Sequence, residues 1–338
     1  MTEPHGSTKR DPGESRGIPA SVAAVLPAGP GRPEVTYRIA GDDYLLVEYG
    51  DMVLDLNLTF RVLALRQALT RLSIGSILEL APGVRSLLVR YEHQELPLDH
   101  LLKVLQDTES VTGSVDELVI PSRVVRLPIA FDDSSTREAI ARYMQSVRAT
   151  GPYLPSNLEF VARCNGLTRV EQVKECLLGT EHLVIGLGDV YLGAPCAIPL
   201  DPRKRLVVPK YNPARTWTAA GIVGIGGAFI CIYAVDSPGG YQLVGRSLPM
   251  WNTWQTTAAF KDTPWLLRPF DRIQFEPVTE EQLAEAREAI ITGGYSPEIK
   301  PDAFSVASYN AFLASIEAEA ATFRSRQQAA SVEAMVGY

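Results

Sequence analysis

The run His182-Leu-Val-Ile-Gly-Leu-Gly188-Asp-Val-Tyr191-Leu-Gly193 decides the fold when read with Lys210-Tyr-Asn-Pro-Ala-Arg-Thr-Trp217, Gly224-Ile-Gly-Gly227 and Ser237-Pro-Gly-Gly-Tyr-Gln242. Each apolar stretch is short, rich in β-branched residues and bounded by glycine or proline, as buried strands joined by tight turns are. Ala219 to Val235 carries no charge until Asp236, yet it is shorter than the ~20 residues a membrane helix needs. Gly221, Gly224, Gly226 and Gly227 interrupt it, so it reads as two strands around a glycine turn.

Outward from this region, short strands separated by Gly/Pro turns continue to Phe275 and point to a closed or nearly closed β-barrel, which hides strand edges. Before it, Tyr44–Tyr49, Ile77–Leu80 and Ser86–Tyr91 read as strands, and Phe60–Leu72 and Leu98–Leu105 as amphipathic helices. After Pro277 the pattern turns helical, with Thr279-x-x-Gln282 as a capping box and Gly293-Gly294 as a stop. Ser135-x-x-Glu138 and Thr168-x-x-Glu171 fit the same box. A helix from Ser305 to about Ala330 puts Val306, Tyr309, Phe312, Leu313, Ile316 and Phe323 on one stripe, facing either its own barrel or another subunit. The fold class is therefore α+β, with a disordered segment over 1–33, an α+β subdomain over 34–127, a β-barrel over 128–278 and a helical extension over 279–338.

The 338 residues, 46% hydrophobic, suffice for a large core in two domains. A net charge of -7 with no basic cluster argues against nucleic acid as partner. Segment 18–26 is broken by Pro19 and follows acidic residues, so no secretory signal is expected. Cys164, Cys176, Cys196 and Cys231 are scattered, without a C-x-x-C pair, and read as reduced thiols of a cytoplasmic protein with no metal site and no disulfide framework.

Asp189 between Gly188 and Gly193 caps a turn or holds an amide by accepting its hydrogen bonds; Tyr191 would lie on the same strand face. Lys210 and Arg215 pair with surface acids or aim at a carboxylate across a proline-fixed loop, and Asn212 before Pro213 suits an Asx-turn. Thr216, Gly226, Gly227, Gln242 and Arg246 complete the candidate binding set. His182 reads as structural. No Walker loop, Ser-His-Asp order or G-x-G-x-x-G before a helix is present.

The segments Gly186-Leu-Gly-Asp-Val-Tyr-Leu-Gly-Ala-Pro195, Lys210 to Trp217, Gly224 to Gly227 and Ser237 to Arg246, with Tyr153-Leu-Pro-Ser-Asn-Leu-Glu-Phe160, resemble the allophanate hydrolase subunit 1 (KipI-like) family, on its urea carboxylase branch. The likeness extends from about Tyr37 to Gln328. It implies a cyclophilin-like barrel serving half of a carboxyltransferase site, with carboxybiotin supplied by a biotin-carrying partner and a subunit 2-type half completing the site. By the same resemblance Asp189 and Tyr191 hold the acceptor amide, while Lys210, Asn212 and Arg215 steady carboxylate or biotin carbonyl charge. The sequence shows no ATP-grasp domain and no biotinyl Ala-Met-Lys-Met signature. The expectation is thus a detached carboxyltransferase-type subunit for a small urea-like amide. A free-standing enzyme with a repurposed pocket (cyclisation, elimination or hydrolysis of an amide-bearing metabolite) and a non-catalytic KipI-like inhibitor are the alternatives. Homo-oligomerisation stays open, and Asp189→Ala and Arg215→Ala are expected to remove activity with the fold intact.

Overall fold

The computed structural model describes residues 21–188 and 192–334. Internal contacts divide it into two units, meeting at Val115/Asp116.

The first unit contains β1 (Val22–Leu26), β2 (Val35–Ile39), β3 (Tyr44–Tyr49), α1 (Leu56–Leu72), β4 (Ile77–Pro82), β5 (Ser86–Tyr91) and α2 (Leu98–Val111). Its antiparallel sheet runs β1-β2-β3-β5-β4. Alternation along β3 buries Leu45, Val47 and Tyr49 on one face, and these meet Leu58, Val62, Leu65 and Leu69 of α1 with Leu101 and Leu105 of α2. Arg61 is buried with Glu109 at 2.6 Å, and Tyr49 donates to the other carboxylate oxygen. The segment to Pro33, expected to be disordered, is corrected here: Val22–Leu26 is a strand whose backbone pairs with Val35–Arg38. Residues 1–20 lie outside the described residues.

The second unit contains β6 (Val119–Phe131), α3 (Ser134–Ser146), α4 (Asn157–Cys164), α5 (Val170–Leu178), β7 (His182–Leu187), β8 (Pro195–Pro199), β9 (Arg215–Thr218), β10 (Ile222–Gly226), β11 (Phe229–Ile232), β12 (Ser237–Gly239), β13 (Gln242–Arg246), β14 (Arg272–Pro277), α6 (Glu280–Thr292), β15 (Ile299–Ser305), α7 (Val306–Ser315) and α8 (Glu317–Ala334). Its main sheet runs β13-β10-β11-β8-β7-β14-β6-β15, and β13 also pairs with β6, so seven strands are linked edge to edge. Strands β9 and β12 form a separate two-stranded ribbon. Val125, Leu127, Ile129, Val184, Ala197, Val223, Ile225, Ile230 and Ile273 fill the core on one face of this sheet. The units part at 115/116 rather than at 127/128 because β6 is one 13-residue strand lying wholly in the second unit.

Three local readings change. The tail is not purely helical: β15 pairs with β6 along its length, despite Pro301 and Asp302. The helix read over 305–330 is two helices that break at Ile316. Its stripe is inward at Val306, Tyr309, Ile316 and Phe323 but exposed at Phe312. Two caps also move: Asp133 rather than Ser135 accepts from the first backbone amides of α3, and Gln172 accepts from Thr168 and Arg169 ahead of α5. The Thr279/Gln282 box and the left-handed Gly293 stop form as expected. Among the described residues no helix is long and apolar enough to cross a membrane.

Candidate functional site

The glycine pattern places the site. Ala197 opposite Ile230 faces the core, so the adjacent rung, Cys196 opposite Cys231, faces the other way. Gly186 lies opposite Cys196 and Gly224 opposite Cys231, giving a four-strand rung of Gly, Cys, Cys and Gly. The missing side chains make room for an aromatic ring: a Cβ at Gly224 would stand 2.9 Å from Tyr241 Cβ, and one at Gly226 only 2.4 Å from its Cδ1. Tyr241 therefore lies against this glycine track, and Lys210 Nζ sits 5.0 Å from its ring centroid.

Above the track is a cavity of about 210 Å³, lined by Ala194, Lys210, Cys231, Tyr233, Tyr241 and the turn Pro238–Gly240. That volume is below the ~300–1,000 Å³ of drug-sized sites, so it suits a guest of a few heavy atoms. A larger cavity of about 760 Å³, beside Arg148, Arg163 and Glu333, shares none of these residues.

Arg215 is 1% exposed and does not line the cavity. It lies behind the wall. Nη1 donates to Tyr241 O at 2.7 Å, Nη2 to Tyr233 Oη at 3.2 Å and Nε to Thr218 Oγ1 at 3.2 Å, while the guanidinium stacks 4.5 Å from the Tyr211 ring centroid. Among the described residues no carboxylate forms an ion pair with it. Gly239, opposite Arg215, permits this arrangement, since a Cβ there would fall 2.0 Å from Tyr233 Oη. A buried cation solvated only by neutral groups leaves positive potential directed at its surroundings.

The loop between Lys210 and Arg215 is fastened from beneath. Tyr143 Oη donates to Pro213 O at 2.9 Å, Tyr153 Oη to Asn212 O at 3.1 Å, and Tyr211 N to Gly240 O at 2.6 Å. Burial pushes the Tyr211 and Tyr143 hydroxyls above their ordinary pKa, so both stay neutral, Tyr143 donating to Pro213 O and Tyr211 accepting from Asn157 Nδ2.

Asp189 and Tyr191 lie outside the described residues. The ends of their loop are closed by Gly188 N to Ala194 O and Gly193 N to Gly188 O, and Ala194 borders the cavity. Of the remaining candidates, Lys210 lines the cavity, while Asn212 and Thr216 are exposed on its flanking loop and ribbon. Gly226 and Gly227 shape the β10–β11 turn, Gly227 with φ +60. Gln242 is buried opposite the core residue Ile225; its Nε2 donates to Pro209 O and its Oε1 has no partner among the described residues. Arg246 donates to Ala220 O and Ser135 Oγ, away from the cavity. His182 is buried, hydrogen-bonded to Leu177 O, and burial lowers its pKa to about 4. Sequence reasoning missed Tyr233 and Cys231. Period-2 alternation from Ile230 and Ile232 was the available signal, because it puts Cys231 and Tyr233 on the face away from the core.

Residues 35–261 match the model of the carboxyltransferase domain, subdomain C and D. The chain belongs to this family. It is 44% identical over 277 residues to the urea amidolyase of Lachancea kluyveri, covering 82% of this chain and 15% of that one. It is 36% identical over 324 residues to a putative urea carboxylase of Emericella nidulans, covering 93% and 26%. The crystal structure of Kluyveromyces lactis urea carboxylase superposes with a TM-score of 0.83 at 39% identity, covering 92% of this chain and 28% of that one. A more distant relative is a 5-oxoprolinase subunit of Escherichia coli, 29% identical over 54% of this chain and 76% of that one. The chain thus spans roughly a sixth to a quarter of the urea amidolyase and urea carboxylase relatives it matches.

Proposed function

We propose that this chain is a detached carboxyltransferase component that holds a small urea-like amide while that amide receives the carboxyl group from carboxybiotin carried by a separate protein. The observation that carries the reading is the 210 Å³ cavity on a carboxyltransferase-family scaffold, with the Lys210 ammonium at its lining and the Arg215 guanidinium, which no described carboxylate neutralises, behind it. The closed run of seven strands supports a cyclophilin-like barrel as the frame. A relative that is itself a named subunit, and of which this chain spans 76%, supports a component acting with partners, including a subunit 2-type half.

Lys210 and the Gly239–Gly240 turn fit the carboxylate end of carboxybiotin, because a cation at a small-residue turn admits a planar anion closely. That group, when bound, supplies the activated carboxyl. Lys210 would orient the carboxylate through its charge. Tyr233 Oη, accepting from Arg215 Nη2, is polarised toward donating its own hydrogen to an incoming amide oxygen. Tyr241 lines the cavity and, with its neighbours, limits water at the acceptor. Asp189 and Tyr191 are assigned to the acceptor amide and Asn212, Thr216, Gly226 and Gly227 to support around the cavity, while Gln242 acts at a distance by holding Pro209 O and Arg246 by tying Ala220 O to Ser135 Oγ. A cytoplasmic location is part of the same reading.

The test combines the purified chain with a urea carboxylase second half, a biotin carboxylase and a biotinylated carrier, and measures urea-dependent bicarbonate fixation. Fixation that requires this chain, and that falls at least ~10²-fold in Lys210→Ala, supports the reading. Turnover of an amide by the chain alone, without ATP or biotin, would instead favour a free-standing enzyme. Tight partner binding with no turnover would favour an inhibitor.

A further inference from the structure

The Cys196–Cys231 rung is unused by the carboxyl-transfer reading and has its own chemistry. The two cysteines are direct cross-strand partners on β8 and β11, so their side chains leave the same face of the sheet side by side. Neither is bonded to another sulfur, and both are partly exposed, in contrast to the buried Cys164 and Cys176. Cys231 opens onto the 210 Å³ cavity. Beside Cys196 the same rung ends in Gly186, where a Cβ would meet no described atom within 4 Å. The thiols therefore have an approach from the cavity and, among the described residues, space at the other end of the rung.

We propose that Cys196 and Cys231 form a bidentate dithiol site for a thiophilic metal or trivalent metalloid. Opposed residues on antiparallel strands hold their Cβ atoms ~4.5–5.5 Å apart, wider than the ~3.5–4.5 Å of a disulfide. A direct S–S bond would draw the strands together, whereas a central atom with two bonds of ~2.3 Å, the length of a zinc–thiolate bond, bridges that gap with little movement. The two-thiol count also matters: among the described residues no group of three or more metal-ligating side chains exists, so an ion or metalloid content with two sulfurs is what the rung can hold. Burial pushes the Cys231 thiol up to about 12 and raises Cys196, against the pull of the nearby Lys210 charge. Both are thus protonated at neutral pH, slow toward single-site electrophiles, and give up their protons when two bonds form to one centre.

The probe is phenylarsine oxide. In its reaction two As–S bonds form, two S–H bonds break, and the arsenic-bound oxygen leaves with both protons as water, with no change of oxidation state. Native full-length chain is treated with the reagent and analysed by intact mass. The expected result is one adduct per chain that resists a monothiol, is removed by a dithiol and protects both cysteines from alkylation after unfolding. Cys196→Ala and Cys231→Ala should each weaken the adduct at least ~10-fold, with folding checked by circular dichroism. If either variant fails to fold, peptide mapping of the wild-type adduct decides in its place. Adduct mapping to Cys164 or Cys176, wild-type adduct stability in either variant, or no adduct on the folded chain would overturn the assignment. None of these readouts involves carboxyl transfer, so this inference can fail without the functional one failing, and the reverse.

Discussion

Arg215 shows how a residue can be legible in identity and misread in position. Lys210-Tyr-Asn-Pro-Ala-Arg215 suggested two cations aimed at one anion, but period-2 geometry at β9 turns Arg215 inward against Tyr211, Tyr233 and Tyr241. Its truncation is therefore not neutral to the fold, contrary to the sequence expectation. Arg215→Ala leaves Tyr241 O and Tyr233 Oη without their donor and should cost about 2–4 kcal/mol in urea unfolding. Lys210→Ala, on an exposed side chain, should stay within ~0.5 kcal/mol of wild type in the same assay. His182 gives a pH signature. Its folded pKa of about 4 lies below the ordinary value near 6.5, so the unfolded chain binds the proton more tightly. Stability is full above about pH 6.5 and falls as pH drops toward 4, by ~3 kcal/mol from this group. Unfolding free energies at pH 7 and pH 4 should differ less in His182→Gln than in wild type, and an unchanged difference would refute the assignment.

At the scale of elements, apolar periodicity located β3, β5, α1, α2 and the β10–β11 hairpin, because each is decided by neighbours close in sequence. Where a choice among adjacent polar residues sets the boundary, pattern alone misled: Asp133, two residues ahead of Ser135, accepts from both Ser135 N and Thr136 N. Strand β15 was hidden for a different reason. Ile-Lys-Pro-Asp-Ala-Phe-Ser looks like loop until β6 supplies its partner, and that pairing is non-local. The Thr279/Gln282 box is a local feature and carries a local prediction. Thr279→Ala should lower stability by about 1 kcal/mol, read as a shifted urea midpoint with an unchanged slope. A shift above ~3 kcal/mol would mean that α6 relies on Thr279 for more than its cap.

Across the whole molecule, the division at Val115/Asp116 and the two separate cores were only partly readable, since composition changes near Arg126 while the chain changes unit earlier. The first unit has its own sheet, two helices and a buried Arg61–Glu109 pair. Limited proteolysis should cut near 112–116 and release an N-terminal fragment ending there that keeps its circular dichroism. A fragment that loses all structure would show that its core does not stand alone. The second unit is held by β6, which pairs with β13, β14 and β15 in turn. Those partners are all translated later, β15 the latest: on the order of 170 residues separate the end of β6 from β15. At ~5–20 residues per second, a ribosome exposes β6 roughly 9–35 s before that neighbour exists. During that interval a 13-residue strand has unpaired edges, which makes the nascent chain a natural client for holding chaperones.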